Sequence, residues 1–362
     1  MPVIDAPALP PPTIVSPAPR ELSFGRVAGT VPPGTRHVIV RVRGFVVAEF
    51  PLRRRTFSVN VPMTTGVVAV TVTAVDGRNR RATRTVDSVL GLPPTAIPRV
   101  RRPILDRPLA ARIRALARQY GGTSGIYVEN LRTGRGAAWN ARARFPAAST
   151  LKLAIAVTVL RSLDGKPAEG SPVARRLAKM LVFSDNEAAN ELEVWLAGST
   201  SAGSDRVNET MRALGLTDTE MYGGYETRRP SAASPIPIRV ESQPGFGVGK
   251  YTTAWDLARL ARAVYLAGVG LGPLPRLGVT PSEARYVLWL LSQVTDRGKL
   301  DGFLGPDSVV MHKPGWLPTA RHDSGIVAYL GGAYVATVLT WKTPAADELT
   351  GQVFLAALQR FL

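Results

Sequence analysis

The hydrophobic period changes once along this chain, near residue 104, and that change calls for two bodies of different class. Before it, HVIVRVRGFVVAEF, RTFSVNVP and GVVAVTVTAVDG alternate apolar with polar residues, the two-residue period of half-buried strands. VPPGT, MTTG and DGRN supply turn chemistry between them. Residues 21–90 are therefore predicted to form a small all-β sandwich. Residues 1–20 are rich in Pro and Ala without either period and read as a disordered or extended tail. GLPPTAIPRVRRP (91–103) reads as a Pro/Arg-rich linker.

From Ile104 to residue 362 the spacing is mostly helical. LDRPLAARIRALARQY opens with a helix, and GIYVENLRTGRGAAWN follows as a β-hairpin. LKLAIAVTVLRSL, SPVARRLAKMLV, NEAANELEVWLAG, VNETMRALG, TTAWDLARLARAVYLAG and PSEARYVLWLLSQV continue as helices. SGIVAYLGG and AYVATVLTWK read as strands, and ADELTGQVFLAALQRFL as a last helix. This order predicts an α+β domain in which both ends of the segment build one antiparallel sheet and a helical lobe is inserted between them.

Charge bears on partners. The formal net charge is +18, and residues 1–104 hold 15 Arg and no Lys against 5 acidic residues. Such a field attracts an anionic polymer or surface, and an Arg-rich coding bias accounts for it equally, since only 7 of the 45 basic residues are Lys. With no Cys, disulfides, a thiol nucleophile and thiolate metal sites are excluded. His37, His312 and His322 are too scattered to suggest a metal site, and no phosphate-cradling glycine loop is present, so neither metal nor cofactor is expected. No apolar run is long enough to span a membrane, and the N-terminus lacks the pattern of a signal peptide.

Three short motifs carry chemistry. Ser149-Thr150-Leu151-Lys152 places a hydroxyl and an amine three residues apart at a helix start, on one face. A serine needs a base to become a nucleophile, and a lysine with a lowered pKa serves as one. Taken alone, an N-cap serine with a solvated lysine explains the same letters. Ser184-Asp185-Asn186 lies between two helices, where a second hydroxyl can relay a proton and an amide can hold a carbonyl; capping of the next helix is the plainer alternative. His312-Lys313-Pro314-Gly315-Trp316 precedes the last strands, with a cation for a carboxylate and a glycine that permits close approach.

In this order the motifs resemble the S-x-x-K, S-D-N and K-T-G set of class A β-lactamases and penicillin-binding proteins. The resemblance spans about residues 104–362 and includes FPAASTLK and TTAWDLARLAR. It implies a β-lactamase/DD-peptidase-like fold. It also implies that Ser149 is acylated, Lys152 is its base or proton partner, Ser184 shuttles a proton and Asn186 contacts the substrate amide. Lys313, with Gly315 beside it and Arg321 in support, would hold the substrate carboxylate, and the N–H groups of Ser149 and Trp316 would form the oxyanion hole. The N-terminal module resembles Ig-like or fibronectin-like domains in pattern only.

The chain departs from the family pattern in three places. Pro314 replaces the K-T-G threonine and removes its hydroxyl. Ser149 and Ser184 are only 35 residues apart, which implies a trimmed helical lobe. The deacylating Glu of class A β-lactamases is followed four residues later by Asn; here Glu226 is the best positional candidate, Pro230 stands four residues on, and Glu220 stays open. The Gly/Pro/Ser-rich stretch 230–250 reads as a lid or a plain surface loop. The expected function is therefore a serine hydrolase acting on β-lactams or D-Ala-D-Ala-like peptides. Two alternatives remain: a penicillin-binding DD-peptidase or esterase with slow β-lactam turnover, and a non-catalytic envelope-binding protein. Expected partners are the small substrate and, through the basic module, an anionic envelope polymer, with no nucleic acid. Such substrates imply an extracellular or cell-envelope location.

Overall fold

The computed structural model describes residues 8–225, 249–296, 303–341 and 346–362. The chain divides into two compact units, 1–94 and 95–362.

The first unit is all β. Its strands are β1 (Thr13–Ser16), β2 (Leu22–Ser23), β3 (Arg26–Thr30), β4 (Thr35–Val42), β5 (Phe45–Pro51), β6 (Thr56–Asn60), β7 (Gly66–Asp76) and β8 (Arg81–Gly91). They form two sheets, of order β1-β3-β6 and β2-β8-β7-β4-β5. Alternate residues point to opposite faces of a strand, so Val38, Val40 and Val42 of β4 and Val68, Val70 and Val72 of β7 meet Val27 and Phe57 of the smaller sheet in one apolar core.

Two expectations are corrected here. The predicted disordered or extended tail is extended but not free over Thr13–Ser16: β1 pairs antiparallel with β3, and Ile14 packs against the core. TIVS is too short to show a period between its flanking prolines, and its partner lies more than ten residues away in β3. The stretch 91–103 is not a free linker either, because from Thr95 onward it is bonded into the second unit. Tyr265 Oη donates to Ala96 O (2.9 Å), Arg99 N–H to Leu131 O (2.8 Å) and Arg262 Nη2 to Arg101 O (3.0 Å). Proline removes backbone donors but leaves every carbonyl able to accept.

The second unit begins with β9 (Ile104–Leu105), α1 (Arg107–Tyr120) and the hairpin β10 (Thr123–Asn130) and β11 (Arg135–Trp139). β12 (Phe145–Pro146) leads through a 3-10 turn to α2 (Lys152–Arg161). The lobe comprises α3 (Pro172–Val182), α4 (Asn186–Ala197) and α5 (Thr200–Ala213). Then come β13 (Tyr251–Thr252), α6 (Ala254–Ala267), α7 (Pro281–Ser292), β14 (Val309–Leu317), β15 (Ala320–Tyr329), β16 (Gly332–Trp341) and α8 (Ala346–Phe361).

The sheet order is β14-β15-β16-β10-β11-β9, so the opening hairpin pairs with the last strand, as the order of elements predicted. β16 is buried along almost its whole length, the mark of a strand covered on both faces. Leu109, Ile113 and Leu116 of α1 and Val353, Phe354 and Ala357 of α8 pack against Ile126, Val128, Tyr334 and Val338 of the sheet. α6 packs against β10, β15 and β16, and α2 against α3, α4, α5 and α6. α2 is apolar all round and buried from Lys152 to Leu160, as a helix at the centre of a lobe must be. Among the described residues no helix is long and apolar enough to cross a membrane.

Candidate active site

Ser149 is positioned by the strand that precedes it. β12 pairs with β13, and Ala147 N–H donates to Lys250 O at 3.0 Å. His322 of β15 donates Nε2–H to Pro146 O at 2.7 Å and accepts Thr340 N–H at Nδ1 (3.2 Å). Burial lowers its pKa to about 4, so the ring stays neutral in this one tautomer. Ala148 then takes φ +49°, a left-handed backbone that a residue with a Cβ adopts only where its surroundings impose it. The turn Ala148–Leu151 follows, with Ser149 half-buried and Thr150 Oγ1 donating back to Ala147 O at 2.6 Å.

Lys152 is wholly buried, which removes the solvated-lysine reading of the first motif. Its Nζ donates to Asn186 Oδ1 at 2.5 Å and to Ser184 O, and stands 3.2 Å from Ser149 Oγ and 3.4 Å from Ser184 Oγ. Burial, followed by the charges of Lys313 and Lys250, lowers its pKa to about 6 against the opposing pull of Asp185. At neutral pH the amine is therefore largely uncharged and able to accept a proton.

Ser184 sits at the junction of α3 and α4 with φ +58°. Asp185 is the N-cap of α4, its Oδ1 accepting Ala188 N–H at 2.6 Å. The second motif thus caps a helix and presents a hydroxyl, the cap aiming the hydroxyl. Lys313 Nζ donates to Ser184 Oγ at 2.9 Å. A continuous path of polar atoms therefore runs Ser149–Lys152–Ser184–Lys313. Lys313 is itself buried; burial lowers its pKa to about 8 while Asp323 and Asp296 hold it up. On the same strand, His312 bonds Asp323 through Nδ1 at 2.8 Å.

β14 is an edge strand of the sheet, a place where proline is tolerated when its nitrogen faces away from the neighbouring strand, and Pro314 pairs with Asp323 of β15. A Cβ on Gly315 would stand 3.0 Å from Ser149 N and 3.1 Å from Thr150 N, so a side chain there would push the strand a few tenths of an ångström away from the Ser149 turn. Trp316 is exposed at the rim and pairs across the strands with Arg321, whose guanidinium lies 5.5 Å from the Trp316 ring. Arg321 Nη1 also donates to Leu317 O (2.7 Å) and Ala320 O (3.2 Å), which places this cation at the end of the hairpin. Glu226 and residues 230–248 lie outside the described residues. Glu220 is described: its Oε1 accepts Asn208 Nδ2 at 3.0 Å, and its backbone bridges Tyr251. Among the described residues no three potential ligands converge on a metal position.

Two residues here escaped the sequence reading. The Tyr225 ring stands 4.7 Å from Lys152 Nζ and 4.8 Å from Lys250 Nζ, and its hydroxyl donates to Ala148 O at 3.3 Å. Asn190 of α4 clamps the Tyr225 backbone, its Nδ2 donating to Tyr225 O at 2.6 Å and its Oδ1 accepting Tyr225 N–H at 2.5 Å. Lys250 is buried and donates to Gly224 O at 2.7 Å. Burial pushes its pKa down and that of Glu193 of α4 up, each opposed by the charge of the other. The available signal was the scarcity of lysine: where Arg is the default cation, each retained Lys is a candidate for chemistry that needs a compact, titratable amine.

The fold and this serine–lysine constellation define a class: α+β proteins with a helical lobe on an antiparallel sheet and an S-x-x-K serine between them. Family comparison makes the assignment specific. A model of the beta-lactamase enzyme family matches residues 108–169 and 166–361, and the chain belongs to that family. A beta-lactamase of Kitasatospora aureofaciens is 29% identical over 249 residues, covering 58% of this chain and 75% of that protein. Among solved structures, PBP-A superposes with a TM-score of 0.57 at 22% identity, over 73% of this chain and 99% of that one. An ancestral class A β-lactamase gives 0.53 at 22% identity, over 70% and 100%. A β-lactamase from Sphaerobacter thermophilus gives 0.52 at 21% identity, over 70% and 96%. At these identities the structural likeness speaks for the fold.

Proposed function

We propose that the second unit is a serine hydrolase that opens β-lactams or cleaves D-Ala-D-Ala-like amides through an acyl-enzyme on Ser149. The observation that carries this reading is the buried amine of Lys152, uncharged at neutral pH, 3.2 Å from the Ser149 hydroxyl. Ser149 Oγ attacks the carbonyl carbon while its proton passes to Lys152. The N–H groups of Ser149 and Trp316 receive the oxyanion, a type of contact worth about 10²–10³ in rate where one donor has been removed. The tetrahedral species collapses as the C–N bond breaks, and the proton reaches the departing nitrogen through Ser184 Oγ, leaving the acyl group on Ser149. Lys313 supplies positive charge beneath the substrate carboxylate, and Asn186 orients the amide. Water then attacks the ester carbonyl as Glu226 takes its proton, the bond from the acyl carbon to Ser149 Oγ breaks, and Oγ recovers a proton as the acid leaves.

Pro230, where the β-lactamase pattern has Asn, favours a second reading in which that last step is slow and the protein behaves as a penicillin-binding peptidase or esterase. Substrates of either kind favour a location outside the cytoplasmic membrane or in the envelope, with the first unit, an Ig-like module in this reading, as its spacer or anchor. The test is intact mass after incubation with benzylpenicillin. The expected result is a single adduct on Ser149 that Ser149→Ala abolishes without lowering the melting temperature. Labelling that survives the substitution sinks the assignment.

A further inference from the structure

The first unit carries a cleft of about 810 Å³ that no step of the proposed hydrolysis uses. Its walls are three connections at one end of the sandwich: the turn between β3 and β4, the segment Leu52–Arg55 between β5 and β6, and the turn Asp76–Arg80 between β7 and β8. Six guanidinium groups line it: Arg36, Arg53, Arg54, Arg55, Arg78 and Arg80. The one carboxylate among the lining residues, Asp76, is buried and turned inward. Its Oδ1 accepts the N–H groups of Arg78 and Arg80 at 2.9 Å each, and its Oδ2 accepts Arg80 Nε at 2.8 Å. Asp76 thus sets the shape of its turn and balances Arg80, while Arg36, Arg53, Arg54, Arg55 and Arg78 remain exposed around the opening. The first two walls are tied by backbone bonds, Val31 N–H to Arg55 O (2.9 Å) and Leu52 N–H to Arg36 O (2.8 Å), and the third is held by the pairing of β4 with β7, Thr35 opposite Asp76. The cations are therefore mounted on a fixed frame.

Coding bias explains many arginines on a surface but not their convergence, from three segments, on one recess. We propose that this cleft binds a phosphodiester polymer without bases, a chain of polyol phosphates. The proposal deepens the envelope-binding reading of the basic module and is independent of the chemistry at Ser149. The planar donor fork of arginine matches phosphate oxygens two at a time, and several forks around one recess suit a ligand with repeated anions. The floor, formed by Val31, Pro32 and Leu52, accepts the carbon skeleton between phosphates. None of the described lining residues is aromatic, and stacking on aromatic rings is what single-stranded nucleic acid asks of its binders. A recess between turns also fits a chain better than a flat bilayer.

The test is fluorescence-detected binding of the full chain to a labelled synthetic poly(glycerol phosphate) at fixed ionic strength. Inorganic phosphate, an oligothymidylate of matched phosphate number and phosphatidylglycerol vesicles form the comparison arms. The triple variant Arg53→Gln/Arg54→Gln/Arg55→Gln is expected to weaken polymer binding about tenfold or more, with a shallower salt dependence. Arg26→Gln/Arg43→Gln/Arg84→Gln removes the same charge from exposed positions outside the cleft and is expected to cost less than about threefold. Melting curves of both variants establish that the unit is folded. Equal losses in the two variants would overturn the cleft as the site. Inorganic phosphate matching the polymer in affinity would reduce it to a free-anion site. Tighter binding of oligothymidylate or vesicles would overturn the choice of partner. Acylation of Ser149, followed in the same samples, reads the hydrolase independently, so either proposal can fail alone.

Discussion

Lys152 lies where water is excluded and two further ammonium groups approach, and these conditions rather than its place in a motif set its charge. An amine with a pKa of about 6 is a base above that pH and a spectator below it. Lys313, with a pKa of about 8, keeps its positive charge only below that pH. The second-order rate constant for acylation by benzylpenicillin is therefore expected to rise through pH 6 as Lys152 loses its proton and to fall above pH 8 as Lys313 loses its own. A stopped-flow profile flat from pH 5 to 9 contradicts both assignments. Lys250 lowers the Lys152 pKa by repulsion across the Tyr225 ring. Lys250→Met removes that repulsion, so the rising limb should move to higher pH while the falling limb stays. A variant that slows equally at every pH would show that Lys250 acts through structure alone.

At the scale of elements, Asp106 joins three segments that are far apart in sequence. It caps α1 through Leu109 N–H and bonds Arg135 of β11 and Arg360 of α8, while its own side chain is buried. Burial opposes its charge, but the Arg360 bond, the cap and the Arg135 bond outweigh it and hold the carboxyl below its ordinary 3.8. A carboxylate depressed in this way adds stability that is complete above the unfolded pKa and is lost as pH falls through the folded one. Asp106→Ala is expected to cost about 1–2 kcal/mol at pH 7, the scale of a lost cap together with two ion pairs whose arginines reach solvent. In urea titrations the gap between variant and wild type should narrow once the pH drops below 3.8. A constant gap down to pH 2 would place the effect in packing instead.

At the scale of the molecule, all the residues assigned to the hydrolase lie in the second unit, whose apolar core begins at Leu109. The pinned segment after Thr95 belongs with it, because Ala96 and Arg101 accept bonds from α6. A fragment of residues 95–362 should therefore fold alone and be acylated within about twofold of the full chain's rate. One that starts at residue 104 should melt lower, since it strips those bonds from a part-buried surface. Equal melting temperatures for the two fragments would show that the segment contributes nothing to the fold.

The sequence alone determined what depends on neighbours in the chain. Period two before residue 104 and period 3.6 after it fixed the class of each unit, and the helix caps at Asp106, Asp185 and Thr280 are local chemistry. The three motifs singled out Ser149, Lys152, Ser184 and Lys313, whose side chains the fold brings together, since each stands on a short segment whose conformation is set nearby. Tertiary structure decided everything that is a sum over distant parts. A strand at Thr13–Ser16 exists because β3 offers it an edge, and Arg321 lies against Trp316 because the register of β14 on β15 sets them side by side. Tyr225 and Lys250 belong to no motif; α4 and the β12–β13 pairing carry them to the Ser149 turn. The pKa of Lys152 is the clearest case. No spacing encodes it, because desolvation is a property of the whole lobe that closes over the amine.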